Sequence, residues 1–361
     1  MNDESSPRDT PDGVSAYLRH NRRQTYVLIS LALILVVLAL KSIATGSMDI
    51  SFMEVIGILI NGGSGTEAVV VWHLRIPRVL AAILAGAALG VAGTVMQCVL
   101  RNPLGSPFTL GISNAAAFGA AVGIILLGGG TVLGTTNAFI SVDNPYLVTI
   151  CAFTFSMVAT AVMIVLVKVT NVTSEAMVLA GIALGSLFSA GLAALQYFSD
   201  DTTISSIVYW QFGNLGKITW NHNTILFIVL VIVVTYFLNK RWDYNALDAG
   251  EDVAKGLGID TERTRVLGMV AASSITAVVV SFAGIIGFIG LVAPHMVRRI
   301  VGNDHRFLLP GSMLVGALIL LASDTVGRSM FAFTIPVGII TAFIGAPLFL
   351  YLLIRGYRKD A

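Results

Sequence analysis

Asp324 and Arg328 stand four residues apart inside an apolar run near the end of the chain. An ionisable group at membrane depth is a candidate for proton transfer. An acid followed one helical turn later by a base is also an ion pair that neutralises both charges. Both readings need a helix to put the two side chains on one face. Other residues break helices: Asn102-Pro103-Leu104-Gly105-Ser106-Pro107 sets two prolines, which lack amide donors, around a glycine that tolerates unusual backbone angles. Non-helical backbone at membrane depth survives where protein or a water-filled cavity satisfies its polar groups. Asn102, Pro103, Leu104 and Gly105 therefore predict a hairpin lining a pathway, and Ala293-Pro294-His295 shortens a later span in the same manner.

A third group is amphipathic. Between Asn239 and Glu262, apolar Leu247, Val253, Ala254 and Leu257 fall at the spacing of a short helix closed by Gly256 and Gly258. Asp248, Glu251 and Asp252 argue against an anionic lipid surface and for a groove on a protein partner.

No catalytic set accompanies these groups. There is no HExxH and no G-x-x-x-x-G-K-[ST], and the five histidines have no ligand spacing in sequence. Gly213-Asn214-Leu215-Gly216-Lys217 lacks the first glycine of a phosphate loop. Cys98 and Cys151 both sit in apolar runs and read as buried structural thiols. The sequence thus predicts no catalytic residue, no cofactor, no metal set and no ATP site.

The elements that must position these groups are membrane spans. The chain is 56% hydrophobic and 12% charged, with mean hydropathy +0.85, which excludes a water-soluble domain. A helix needs roughly 20 apolar residues to cross the hydrocarbon. Ten runs are predicted to do so: 26–46, 79–100, 108–127, 146–167, 176–198, 224–238, 266–283, 285–297, 309–326 and 335–354. Shorter stretches, 52–60 and 204–212, predict small surface helices. Residues 1–25 are polar and predict a disordered cytoplasmic tail without the cleavage site of a signal peptide, so 26–361 forms the membrane domain.

Of the 22 Lys and Arg, all but Lys41, Arg75, Arg78, Lys217 and Arg328 fall at one set of span ends. Basic residues are retained in the cytoplasm, which predicts that both termini are cytoplasmic and those five residues external. Many of the 36 glycines lie within spans, where small residues let backbones approach. Arg78-Val79-Leu80 opens the second span and Arg265-Val266-Leu267 the seventh; this is either coincidence or the trace of an inverted repeat.

Larger motifs carry a resemblance. Arg75-Ile76-Pro77-Arg78, Gln97, Arg101-Asn102-Pro103-Leu104-Gly105, Leu110-Gly111-Ile112-Ser113, Leu179-Ala180-Gly181-Ile182-Ala183, the Gly250-Glu251-x-x-Ala254-x-x-Leu257-Gly258 joint, Gly287 through His295, Asp304-His305-Arg306, Asp324-x-x-x-Arg328 and Gly345-Ala346-Pro347-Leu348-Phe349 follow in order from Trp72 to Ile354. Together they resemble the FecCD family, permease subunits of ABC importers for iron–siderophores, haem and cobalamin. The resemblance implies an all-α permease of the type II importer fold, ten spans with an inverted repeat, in a bacterial or archaeal cell membrane. It implies two cytoplasmic ATPase subunits that hydrolyse the ATP, an external substrate-binding protein and a second permease copy, with a homodimer favoured.

By the same resemblance, Leu247, Gly250, Glu251, Ala254, Leu257 and Gly258 belong to the coupling segment that seats in the ATPase. Arg75, Arg78 and Arg328 dock the binding protein, or Arg75 and Arg78 simply anchor the interface. Thr173 and Ser174 form the cytoplasmic gate, or a helix cap. The family often has alanine where Gly105 stands, a change expected to loosen that turn. The competing reading is an ion- or proton-coupled secondary transporter using Asp324.

Overall fold

The computed structural model describes residues 13–357 except 47, 49, 63–64, 128–144, 171–173 and 331–333. Its helices are α1 (Gly13–Ala44), α2 (Phe52–Asn61), α3 (Thr66–Val70), a π turn (Val71–Arg75), α4 (Ile76–Val99), α5 (Ile112–Ile125), α6 (Pro145–Thr170) and α7 (Ser174–Tyr197). The second half holds α8 (Asp201–Gln211), a 3-10 turn (Leu215–Lys217), α9 (Trp220–Asn239), α10 (Arg241–Ala249), α11 (Glu251–Gly256), α12 (Thr261–Ala283), α13 (Ile289–Val301), α14 (His305–Ser329) and α15 (Val337–Tyr357). Among the described residues there is no strand.

Seven helices are long and apolar enough to cross a membrane, those in α1, α4, α6, α7, α9, α12 and α14. The remaining predicted spans correspond to α5, α13 and α15. Side-chain contacts fix two ends of the bundle. At one, Arg78 of α4 meets Asp324 of α14. At the other, Arg265 at the start of α12 meets Glu251 of α11, and Asn245 of α10 meets Asp304 before α14. We call these the arginine end and the joint end. Helix α1 starts at the joint end and α15 finishes there, so both described chain ends lie on the same side.

Helix α4 forms the centre. It packs on α14, α12, α13 and α9, and nearly its whole length is buried. Its sequence explains why: a side-chain carbon on Gly86 would lie 2.4 Å from the Gly316 carbonyl oxygen, one on Gly90 2.1 Å from that of Ser312, and one on Gly93 1.8 Å from that of Gly290. Lipid gives helices little reason to associate, so this backbone-to-backbone approach supplies dispersion where bulkier residues would hold the helices apart.

The pairings support an inverted repeat. α4 packs on α14 as α12 packs on α6; α5 packs on α6 and α7 as α13 packs on α14 and α15. The two Arg-Val-Leu openings sit at opposite ends, since Arg78 is at the arginine end and Arg265 at the joint end. The relation holds only in part for α1 and α9: α1 on α4 mirrors α9 on α12, but α1 packs mainly on α14 and α9 also on α4, without mirror pairings.

Among the boundaries that differ from the sequence reading, two have causes in named contacts or backbone angles. Residues from Gly13 to Thr25, predicted disordered, form the start of α1; residues 1–12 lie outside the described residues. Tertiary contact outweighs composition there: the Gln24 amide donates to the Val301 carbonyl, the Arg306 guanidinium lies 6.0 Å over the Tyr17 ring, and Val27 and Leu31 pack against Val297 and Val301. The eighth span begins at Ile289 instead of Ile285. Gly284 at φ 78° and Phe288 at φ 66° hold the chain in the left-handed region, which ends α12 and delays α13.

Candidate functional site

The arginine end is built around one carboxylate. Asp324 is buried, and Arg78 donates to its Oδ1 from Nε (3.0 Å) and Nη2 (2.9 Å), while Arg328 donates to its Oδ2 from Nε (3.0 Å). Arg328 also reaches the Thr45 carbonyl (3.0 Å) and the Ser42 hydroxyl (2.7 Å). Arg75, 5% exposed, donates to the carbonyls of Ile43 and Ala44, both at 2.8 Å, and to that of Met48. The last carbonyls of α1 have no partner within their helix and carry its negative dipole end. Arg75 and Arg328 satisfy them. A π turn immediately before α4 carries Arg75 toward α1.

Of the three expected docking arginines Arg75 is the most enclosed, its guanidinium bonded to carbonyls of its own chain. The side chains of Arg78 and Arg328 are 16% and 8% exposed and share Asp324. Among the described residues, Lys41 and Lys217 are exposed at this end, the Lys217 ammonium 4.4 Å from the centre of the Tyr209 ring, and the motif reading singled out neither.

The predicted hairpin joins α4 to α5 at the joint end. Arg101 takes φ 48°, Asn102 Oδ1 accepts the Leu104 N–H at 2.8 Å, and the Gly105 N–H donates to the Asn102 carbonyl at 2.9 Å. Ser106 and Thr109 exchange backbone-to-hydroxyl bonds at 3.0 and 3.1 Å, an ordinary way for such residues to close a turn. His295, beside Pro294, lies 2.9 Å from the Pro103 carbonyl and ties the two proline-broken segments together. Gly105 does not loosen the turn. A side-chain carbon there would lie 3.0 Å from both the Asn102 oxygen and Leu100, so glycine lets it close tightly. Beside it opens a cleft of about 300 Å³ lined by Gln97, Arg101, Asn102, Pro103, Asp248 and Arg298, among others.

The amphipathic joint is two helices, not one, because Gly250 at φ 132° separates α10 from α11. Leu247 and Ala254 are fully buried and seat the joint on the bundle, whereas Val253 and Leu257 are 49% and 68% exposed. Gly258 at φ 79° stops α11, its N–H returning to the Lys255 carbonyl at 2.9 Å. Glu251 is the anchor: it meets Arg265 at 2.8 Å, Lys255 at 3.0 Å and Arg101 of the hairpin at 3.6 Å. The hydrogen bond from Lys255, with a further one from Arg265, holds its pKa below the usual glutamate value.

Of the predicted gate, Thr173 lies outside the described residues, and Ser174 is the first residue of α7. One grouping escaped the sequence reading: Cys98 of α4, Asp248 of α10 and His305 of α14 offer ligand-type atoms all within 4.8 Å of one another. They are separated by 150 and 57 positions, so no spacing rule could have found them.

The FecCD transport family matches residues 33–355. A Methanocaldococcus jannaschii protein named as an ABC transporter permease is 46% identical over 344 residues, covering 95% of this chain and 98% of that one. The vitamin B12 import system permease BtuC of Salmonella paratyphi A is 34% identical over 94% of this chain and 98% of its own length. Among solved structures, an inward-facing metal-chelate type ABC transporter superposes with TM-score 0.78 at 31% identity, over 92% of this chain and 99% of that one. A Streptococcus pneumoniae structure, PsaBC, shares the fold at 17% identity with TM-score 0.54. With the motifs, the span pattern and these matches in agreement, the chain belongs to the FecCD family and is a multi-pass cell-membrane permease of an ABC importer.

Proposed function

We propose that this permease carries a metal chelate, a ferric siderophore, haem or the corrinoid cobalamin, inward across the membrane between two copies of itself. The joint end faces the cytoplasm and receives two ATPase subunits; the arginine end faces outward and receives a substrate-binding protein. The observation that carries the reading is the α10–α11 joint. A lone carrier has no use for two exposed apolar side chains, Val253 and Leu257, raised on a base that buried Leu247 and Ala254 and triply bonded Glu251 hold in place. Exposed apolar residues set among charges mark a protein contact. ATP-driven closure pushes this ridge, and Glu251 passes the displacement through Arg101 to the hairpin. Thr173 and Ser174 act as the gate on that side.

At the outer end, Arg75, Arg78 and Arg328 dock the substrate-binding protein; Arg78 and Arg328 share one carboxylate, and Arg75 holds the carbonyls that end α1. The surplus positive field, with exposed Lys41 and Lys217, steers an acidic partner, a contribution that acts on docking rate and orientation. The alternative, proton coupling through Asp324, finds no support in its surroundings, since arginine N–H groups occupy both oxygens. The exposed faces of α7 (Leu179, Ile182, Leu187) and α15 (Phe343, Ile344) supply apolar surface for the second copy. The relatives' names support the substrate class: a vitamin B12 importer and a metal-chelate type transporter.

The test is uptake of labelled ferric siderophore, haem and cobalamin by a strain deleted for this chain and complemented with the wild type or Leu257→Asp. Wild type should restore uptake of one of the three. Leu257→Asp should reduce it at least about tenfold at unchanged membrane level. Equal uptake by the two would overturn the coupling assignment, and restoration of none would overturn the substrate class.

A further inference from the structure

We propose that Cys98, Asp248 and His305 form a binding site for a divalent transition-metal ion of the zinc, cobalt(II) or iron(II) kind, distinct from the transport pathway's cargo. The three come from the end of α4, the last turn of α10 and the first residue of α14, and their ligand-type atoms lie within 4.8 Å of one another. The set of one thiolate, one imidazole and one carboxylate suits borderline metals and not magnesium or calcium, which take oxygen ligands.

The geometry is close to that needed. The three ligand-type atoms, within 4.8 Å of one another, stand somewhat wider than the roughly 3.5 Å that tetrahedral bonds of about 2.0–2.3 Å put between neighbouring ligands. Small side-chain movement closes the remainder, and partly exposed Asp248 is free to supply it. His305 is fully buried, and its Nε2 has no hydrogen-bond partner. An imidazole so placed can give one nitrogen to an ion while the other keeps its partner. That partner is Asn245, whose Oδ1 lies 3.0 Å from Nδ1 and accepts the His305 backbone N–H at 2.8 Å. Metal-bound histidines commonly have such a second contact, which fixes the ring. Cys98 is buried, its thiol in a long 3.5 Å contact to the Tyr244 carbonyl and beside the Asp248 carboxylate. The ion has a route in, because Asp248 also lines the 300 Å³ cleft beside the hairpin. On binding, the ion replaces the thiol proton, which leaves to solvent by the same cleft, and Cys98 binds as the thiolate.

The chain provides its own control, since Cys151 is its one other cysteine. The full-length protein, purified in detergent, is titrated with cobalt(II) under reducing conditions and the thiolate-to-cobalt absorption recorded. The expected result is one ion per chain, with the band kept in Cys151→Ser and lost in Cys98→Ser. Asp248→Asn, a change at a partly exposed position that leaves the core packing alone, should weaken cobalt(II) binding at least about tenfold, with unchanged elution on size exclusion. Zinc(II) should compete the band away. Absence of a band in the wild type, its persistence in Cys98→Ser, or unaltered affinity in Asp248→Asn would each overturn the proposal. None of these readouts depends on the transported substrate, so failure here is separable from failure of the transport assignment.

Discussion

Asp324 shows how much a single carboxylate can organise. It is buried, and it neutralises two arginines from different helices, one of which also closes the end of a third. Removing one member of a buried ionic group strands its partners, at about 3–5 kcal/mol. Asp324→Asn should therefore lower stability by that order, read as a fall in thermal unfolding temperature of the detergent-purified protein; a change within about 1 kcal/mol would refute the account. The pairing of Asp324 with Arg328 was legible in the sequence because four residues is one helical turn. Arg78 was not, since 246 positions separate it from Asp324. The partners of Arg75 were hidden for a similar reason, since nothing local reveals that the carbonyls ending α1 lie within its reach.

At the scale of elements, glycines fall into two kinds that sequence cannot separate. Gly90 is pressed against the Ser312 backbone, whereas a side chain on Gly256 would meet nothing within 4 Å. Gly90→Ala should force α4 from α14 and cut the yield of folded protein severalfold. Gly256→Ala should leave yield and unfolding temperature near the wild-type values; parity of the two variants would contradict the packing described. The joint makes a prediction in pH. Glu251 has a lowered pKa, so its anchor is intact above the ordinary value of 4.5 and is lost as pH falls through the lowered one. A spin label at Val253→Cys should keep its mobility between pH 8 and 5 and become more mobile only in stronger acid. The hairpin and joint were visible beforehand because proline, glycine and clustered acids have local causes. The split of α10 from α11, the late start of α13 and the helical beginning of α1 depend on particular backbone angles or distant contacts, which local pattern does not encode.

For the whole molecule, the alternation of apolar runs and basic joints was enough to predict ten segments, and the contacts bring both described chain ends to one side of the bundle. The inverted arrangement rested on two tripeptides in the sequence; the helix pairings give it a structural basis and also locate where it holds only in part, at α1 and α9. What no local pattern carries is the order in which these pairings become available. The ribosome delivers α4 long before α14, so the most buried helix of the finished protein enters the bilayer with its glycine face bare and Arg78 without a carboxylate. The bundle can close only when synthesis is almost complete. A chain truncated after Val301 should insert and yet remain protease-sensitive, whereas one truncated after Met330 should gain a resistant core. A nascent permease therefore carries an arginine without its carboxylate partner for most of its birth, a mark by which quality-control proteases can tell unfinished copies from finished ones.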